Sequence, residues 1–207
     1  MNASKGLVYI VEDDASFRKS LVRLISGWGY EVVVFESANS FLTQTIIRYP
    51  RCLLLDVRLP DIDGLRLHQE LVEKGNKLPV VFMSAHGTIP MSVQAMKRGA
   101  IDFLPKPFKA EDLYSAVTKA IERNIKDLRE DFEKKEIQAL IDTLTPREKE
   151  ILRWVITGRL NKQIAYDLGI TEKTVIVHRS RIMQKTRASS IAELVRMAEK
   201  VDLSPAV

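Results

Sequence analysis

The residues best suited to chemistry stand at the ends of short apolar runs. Leu7-Val8-Tyr9-Ile10-Val11 is followed by Glu12-Asp13-Asp14, Cys52-Leu53-Leu54-Leu55 by Asp56, and Pro79-Val80-Val81-Phe82-Met83 by Ser84; Ile101-Asp102-Phe103-Leu104 leads into Lys106-Pro107. Carboxylates brought together repel one another unless a hard cation bridges them. Carboxylate and carbonyl oxygens around an ion that keeps several waters suit Mg²⁺ best. A lysine and a hydroxyl in the same crevice are what a phosphoryl group needs, one for charge and one for a hydrogen bond. The chemistry these residues allow is acceptance of a phosphoryl group by an aspartate with Mg²⁺ assistance.

That chemistry requires elements that bring the four run ends together. The runs, with Val32-Val33-Val34-Phe35, read as five strands, and the continuous apolar ones suit burial on both faces. Phe17 to Leu24 shows helical spacing, and further helical stretches fall near 38–48, 64–73, 89–98 and 111–123. Five strands alternating with five helices predict a doubly wound parallel sheet. In such sheets a ligand sits beyond the carboxyl ends of the strands, where the polar residues cluster.

Charge divides the 207-residue chain further. The net charge is +5, from 32 Lys and Arg against 27 Asp and Glu. Residues 1–123 carry +2, residues 124–142 carry −2, and residues 143–207 carry +5. The mildly basic total hints at an anionic partner, and its excess lies at the C-terminal end. Residues 124–142 contain neither Gly nor Pro and read as a charged helical linker; two heptad-spaced pairs, Ile121/Leu128 and Ile125/Phe132, leave open whether it is solvated or partnered. One cysteine, Cys52 in an apolar run, excludes a disulfide framework and a cysteine-rich zinc site. His68, His86 and His178 have no metal-ligand spacing. Without a long apolar run or a signal-peptide core, a cytoplasmic chain with no membrane association is expected.

The last stretch reads as four short helices. Thr145-Pro146-Arg147-Glu148 combines a capping Thr, Pro at the first helical position and Glu three residues after the cap. Ile151, Leu152 and Val155 follow at apolar spacing until Gly158. Asn161 to Leu168 forms a second helix, Glu172 to about Thr186 a third, and Ser190 opens a fourth with Ala192, Leu194, Val195 and Ala198 inward. A helix, a tight Gly-Ile-Thr turn and a basic helix form a helix-turn-helix arrangement. A basic helix alone is usually just a solvated face.

Residues 6–123 resemble the receiver domain of a two-component response regulator. The matching residues are Glu12-Asp13, the stretch Leu55-Asp56-Val57-Arg58-Leu59-Pro60-Asp61-Ile62-Asp63-Gly64, Ser84, and Lys106-Pro107-Phe108. The resemblance implies a flavodoxin-like five-stranded sheet with Asp56 as phosphoacceptor. It implies Glu12, Asp13, Asp56 and the backbone carbonyl of Arg58 as Mg²⁺ ligands, and Ser84 and Lys106 on the phosphoryl oxygens. Phe103 falls at the aromatic switch position, and the bond before Pro107 is expected to be cis. Arg58 and His86 are candidates for tuning the phosphoryl lifetime, with ordinary solvated loop residues as the alternative reading.

Residues 143–200 resemble the LuxR-type helix-turn-helix, through Leu144 to Glu148, Asn161-Lys162-Gln163-Ile164-Ala165 and Thr174-Val175-Ile176-Val177-His178. The resemblance places residues 172–186 in a major groove. Lys173, Ile176, Val177, Ser180 and Arg181 would lie nearest base edges or the adjacent backbone; Lys162, Thr174, Arg179 and Lys185 would suit phosphates. Ile176, where many members carry lysine, suggests apolar contact to a thymine methyl; His178 reads better as a packed helix-face residue. The order of modules resembles the FixJ and NarL group, on the FixJ side, and within it the regulators of aromatic hydrocarbon breakdown. The expected architecture is therefore α/β then all-α: a receiver (1–123), a helical linker (124–142) and a DNA-binding domain (143–207). The implied function is a phosphorylation-gated transcription factor, an activator rather than an enzyme. Its implied partners are a sensor histidine kinase, double-stranded promoter DNA, RNA polymerase and a second copy on phosphorylation. A phosphatase using Asp56 as nucleophile is disfavoured because Arg58 stands where a second acid is needed; a phosphorylation-independent regulator or interaction module is the remaining alternative.

Overall fold

The structure, a computed structural model, describes residues 4–43 and 50–206, and the chain divides into two compact units, Met1–Leu128 and Arg129–Val207. In the first unit the elements run β1 (Leu7–Val11), α1 (Ala15–Gly27), β2 (Glu31–Phe35), α2 (Ala38–Leu42), β3 (Arg51–Asp56), α3 (Gly64–Glu73), β4 (Val80–Ser84), α4 (Ile89–Lys97), β5 (Asp102–Pro105) and α5 (Ala110–Asp142), the last continuing past the unit boundary. The predicted helix near 38–48 is observed as Ala38–Leu42, with Thr43 as its C-cap, and residues 44–48 lie outside the described residues.

The five strands are parallel and ordered β2-β1-β3-β4-β5. The alternation along each strand splits the buried residues into two layers. Tyr9, Val11, Leu53, Leu55, Val80 and Phe82 face α2, α3 and α4 through Phe41, Leu67, Leu71 and Ala95. Val8, Ile10, Cys52, Leu54, Val81 and Met83 face α1 and α5 through Leu21, Ile25, Leu113 and Val117. Burying a side chain of this size contributes about 1.5–3 kcal/mol, so these two layers dominate the unit's stability. The chain order reverses between β1 and β3, whose register pairs Val11 with Leu55. The residues just beyond that pair, Glu12 and Asp56, therefore emerge side by side at the sheet's carboxyl edge.

In the second unit, residues 129–142 of α5 are followed by α6 (Pro146–Val155), α7 (Asn161–Asp167), α8 (Glu172–Thr186) and α9 (Ile191–Lys200). Ile151, Leu152, Val155, Ile164, Val175, Ile182 and Leu194 form its core. The expectation of a linker over 124–142 needs amending, because Ile137 and Ile141 belong to this core. Ala192 was expected inward and is exposed; the helical repeat through Leu194, Ala198 and Val201 turns Met197 inward instead. Among the described residues, no helix is long and apolar enough to cross a membrane.

Candidate functional site

Three carboxylates meet at the edge where β1 and β3 end. Glu12, Asp13 and Asp56 each offer an oxygen within 4.8 Å of the others. Glu12 is 1% and Asp56 7% exposed, whereas Asp13 opens to solvent. Lys106 supplies the opposing charge: its Nζ donates to Glu12 Oε2 at 2.7 Å and lies 3.3 Å from Asp56 Oδ1. The ammonium also sits 4.4 Å from the centre of the Phe17 ring, a cation–π contact that fixes its direction. Burial pushes the carboxyls of Glu12 and Asp56 above their ordinary values, and the hydrogen bond or charge of Lys106 opposes that rise at each. A set of three hard oxygens, two of them buried, with one lysine in partial compensation fits a divalent cation of the Mg²⁺ kind.

The surrounding backbone has local reasons for its course. Asp14 caps α1, accepting from Ser16 N and Phe17 N at 2.8 Å, which holds its own carboxylate away from the cluster. Asp63 caps α3 through Leu65 N, and Gly64 N donates to Val57 O. A Cβ on Gly64 would stand 2.2 Å from the carbonyl oxygen of Asp56, so the loop that folds over Asp56 admits no side chain there. Asp61 accepts from Ala38 N and Asn39 N and ties the same loop to α2.

On the other side, Ser84 is buried at the end of β4, and its Oγ accepts from His86 N at 3.2 Å. Lys106 N donates to Ser84 O at 2.7 Å, joining the lysine's backbone to the serine's. The Lys106–Pro107 bond is cis, and Pro107 is exposed. Phe103 is half-buried against Phe82, ring centres 6.2 Å apart. Its ring edge lies where a Cβ on Gly87 would come within 2.6 Å, so the β4–α4 loop and the ring share one space. Arg58 and His86 are exposed beside the pocket. The structure thus brings Glu12, Asp13, Asp56 and Lys106 into one cluster, with Ser84 joined to it through the Lys106 backbone.

The second unit presents a different kind of surface. Thr171 caps α8, accepting from Thr174 N, and the two hydroxyls bond at 2.8 Å. Val175 and Ile182 anchor the helix inward, leaving Lys173, Ile176, Val177, Ser180 and Arg181 exposed on one continuous side and Thr174 and Arg179 at its margin. Lys162 is exposed on α7. His178 is half-buried, and no described residue bonds its Nδ1. Lys185 departs from expectation. Its Nζ is held by the buried carboxylate of Glu148 at 2.7 Å and by Thr143 O at 3.3 Å, so this lysine joins α8 to the start of α6 and is not free for phosphate. Glu148 was recognised as a capping residue, but its tie to Lys185 spans 37 positions and leaves no local sequence signal. Arg18 was likewise missed. From α1 it donates back to the carbonyls of Glu12 and Asp13, a link visible in sequence only as an arginine five and six residues after the acidic pair.

Comparison with known proteins agrees with this geometry. Residues 8–118 match the response regulator receiver domain, and residues 142–198 match the bacterial regulatory proteins of the luxR family. Nodulation protein W of Bradyrhizobium diazoefficiens is 44% identical over 202 residues, covering 98% of this chain and 89% of its own. Response regulator protein TmoT of Ectopseudomonas mendocina is 41% identical, covering 97% and 91%. Among solved structures, the response regulator StyR is 42% identical with a TM-score of 0.81, covering 94% of this chain and 98% of its own. Full-length FixJ from B. japonicum is 34% identical with a TM-score of 0.57, covering 97% and 99%.

Proposed function

This chain belongs to the response-regulator family, as a transcription regulator with a receiver and a LuxR-type DNA-binding domain, and from that premise we propose that Asp56 is its phosphoacceptor and that phosphorylation gates dimerisation and promoter binding. Glu12, Asp13, Asp56 and the Arg58 carbonyl would hold Mg²⁺. When bound, that ion supplies charge neutralisation for transfer onto a carboxylate.

The chain's own residues do the rest. An Asp56 oxygen attacks the phosphorus of a histidine kinase's phosphohistidine; the P–O bond forms as the P–N bond breaks, and the imidazole leaves. Lys106, now bonded to Glu12 and beside Asp56, is within reach of a new phosphoryl oxygen. Ser84, whose Oγ accepts from the His86 amide, keeps its own hydroxyl proton for another. The observation that carries the reading is the Lys106 ammonium set between the two buried carboxylates.

Movement of Ser84 reaches Phe103 through the β4–α4 loop, where Gly87 lies against the ring. Ile89, Val93 and Met96 form an exposed apolar stripe at helical spacing on α4. A surface reshaped around α4, β5 and the start of α5 would pair two receivers and present two copies of α8 to two half-sites one helical turn, or a multiple of it, apart. The charge of +5 on residues 143–207 supports phosphate-backbone attraction there. Recruitment of RNA polymerase would make the bound dimer an activator.

The test is Asp56→Asn in the full chain, given acetyl phosphate and Mg²⁺, with mass measured by light scattering and DNA selected from a random pool. Wild type should dimerise and tighten on DNA containing two half-sites, and D56N should do neither. A D56N protein that responds like wild type sinks the proposal.

A further inference from the structure

The backbone that carries Glu12 and Asp13 is gripped from two sides. The Glu12 amide donates to Phe35 O of β2 at 3.1 Å. On its carbonyl side, Nη1 of Arg18 donates to Glu12 O at 2.5 Å and to Asp13 O at 3.1 Å. One guanidinium nitrogen on two successive carbonyls fixes both peptide planes, and with them the directions in which the two Cα–Cβ bonds leave the chain. Arg18 itself is anchored in the first turn of α1, where its backbone amide donates to Asp14 O at 2.9 Å.

Two effects of opposite sign follow. A positive charge this close to the carboxylates disfavours a second cation, whereas a fixed backbone pre-aims both acids and spares the cation the cost of ordering them. We propose that the second effect wins: Arg18 is a positioning residue for a divalent-cation site made by Glu12, Asp13 and Asp56. The inference rests on the reading of that pocket as the Mg²⁺ site. It goes beyond that reading in assigning part of the affinity to a residue whose side chain, among the described residues, donates to backbone carbonyls.

The opposed signs make the test decisive. Mg²⁺ is titrated into the full chain by isothermal calorimetry for wild type, Arg18→Gln, Arg18→Lys and Asp13→Asn. Arg18→Gln should weaken Mg²⁺ about tenfold or more, the scale of losing an outer support of a metal ligand. Arg18→Lys, which keeps the charge but not the planar guanidinium, should also weaken it. The receiver's melting temperature in EDTA should stay close to wild type in both, which separates positioning from misfolding. Equal or tighter Mg²⁺ binding by Arg18→Gln overturns the inference while leaving the pocket intact. Wild-type binding that is absent, or that survives in Asp13→Asn, overturns the pocket reading and this inference with it.

Discussion

Replacing Glu148 with glutamine removes one charge from the second unit and tests whether α8 is held by an ion pair. Glu148 is 2% exposed at the third position of α6. Its carboxylate accepts from Thr145 N at 2.8 Å and from Lys185 Nζ at 2.7 Å, while Thr145 Oγ1 accepts from Glu148 N. The Lys185 hydrogen bond is the main reason its pKa falls from 4.5 to about 2. A depression of that size corresponds to about 3 kcal/mol of folded-state stability. Lys185 is about a third exposed, so water offsets part of the loss, and a cost of about 2 kcal/mol at pH 7 is expected. A carboxyl depressed on folding stabilises above its unfolded pKa, and that contribution disappears as pH falls through the folded value. The gap between wild type and E148Q should therefore be level from pH 7 to 5 and close between 4.5 and about 2. In a Trp28→Phe background Trp154 reports on the second unit alone, and thermal unfolding followed by its fluorescence should show E148Q melting about 10 °C lower at neutral pH. A neutral-pH difference near zero, or one undiminished at pH 2.5, would refute the ion-pair reasoning.

Two further outcomes follow from the same geometry. Arg179→Ala should flatten the dependence of log affinity for DNA on log salt by about one, as one phosphate contact is lost, whereas Lys185→Met should leave that slope unchanged and lower the melting point of the second unit; equal slopes for Arg179→Ala and wild type would remove Arg179 from the interface. Gly87→Ala should cost about 1–3 kcal/mol of receiver stability by driving its Cβ against Phe103, and almost nothing in a Phe103→Ala background; additive costs in calorimetry of the double variant would show that loop and ring are independent.

The pocket was legible because parallel strands direct their carboxyl ends to one edge, so Glu12, Asp13, Asp56, Ser84 and Lys106 could be placed together from run ends alone. Gly64 was readable as part of a motif, but the reason for it, a 2.2 Å approach to Asp56 O, exists only in three dimensions. The inward set of α9 was misphased at Ala192 because small apolar residues satisfy several helical phases equally well. Ile137 and Ile141 were hidden in a window dominated by charge, where the absence of Gly and Pro announces a helix but not what its apolar residues pack against. Lys185 and Arg18 share one cause. Long cationic side chains choose partners through tertiary geometry, and a basic helix face read from sequence treats every lysine as free.

The acids of the pocket come from the ends of β1 and β3, and the lysine that bonds Glu12 lies 94 residues further along the chain. No short stretch of the chain contains that set. A divalent cation bound there thus recognises the completed fold and ignores the unfolded chain, and such a ligand raises folding stability by mass action, about 1.4 kcal/mol when present at ten times its dissociation constant. Magnesium in the surroundings would then act as a thermodynamic brace on the receiver before any phosphoryl group arrives.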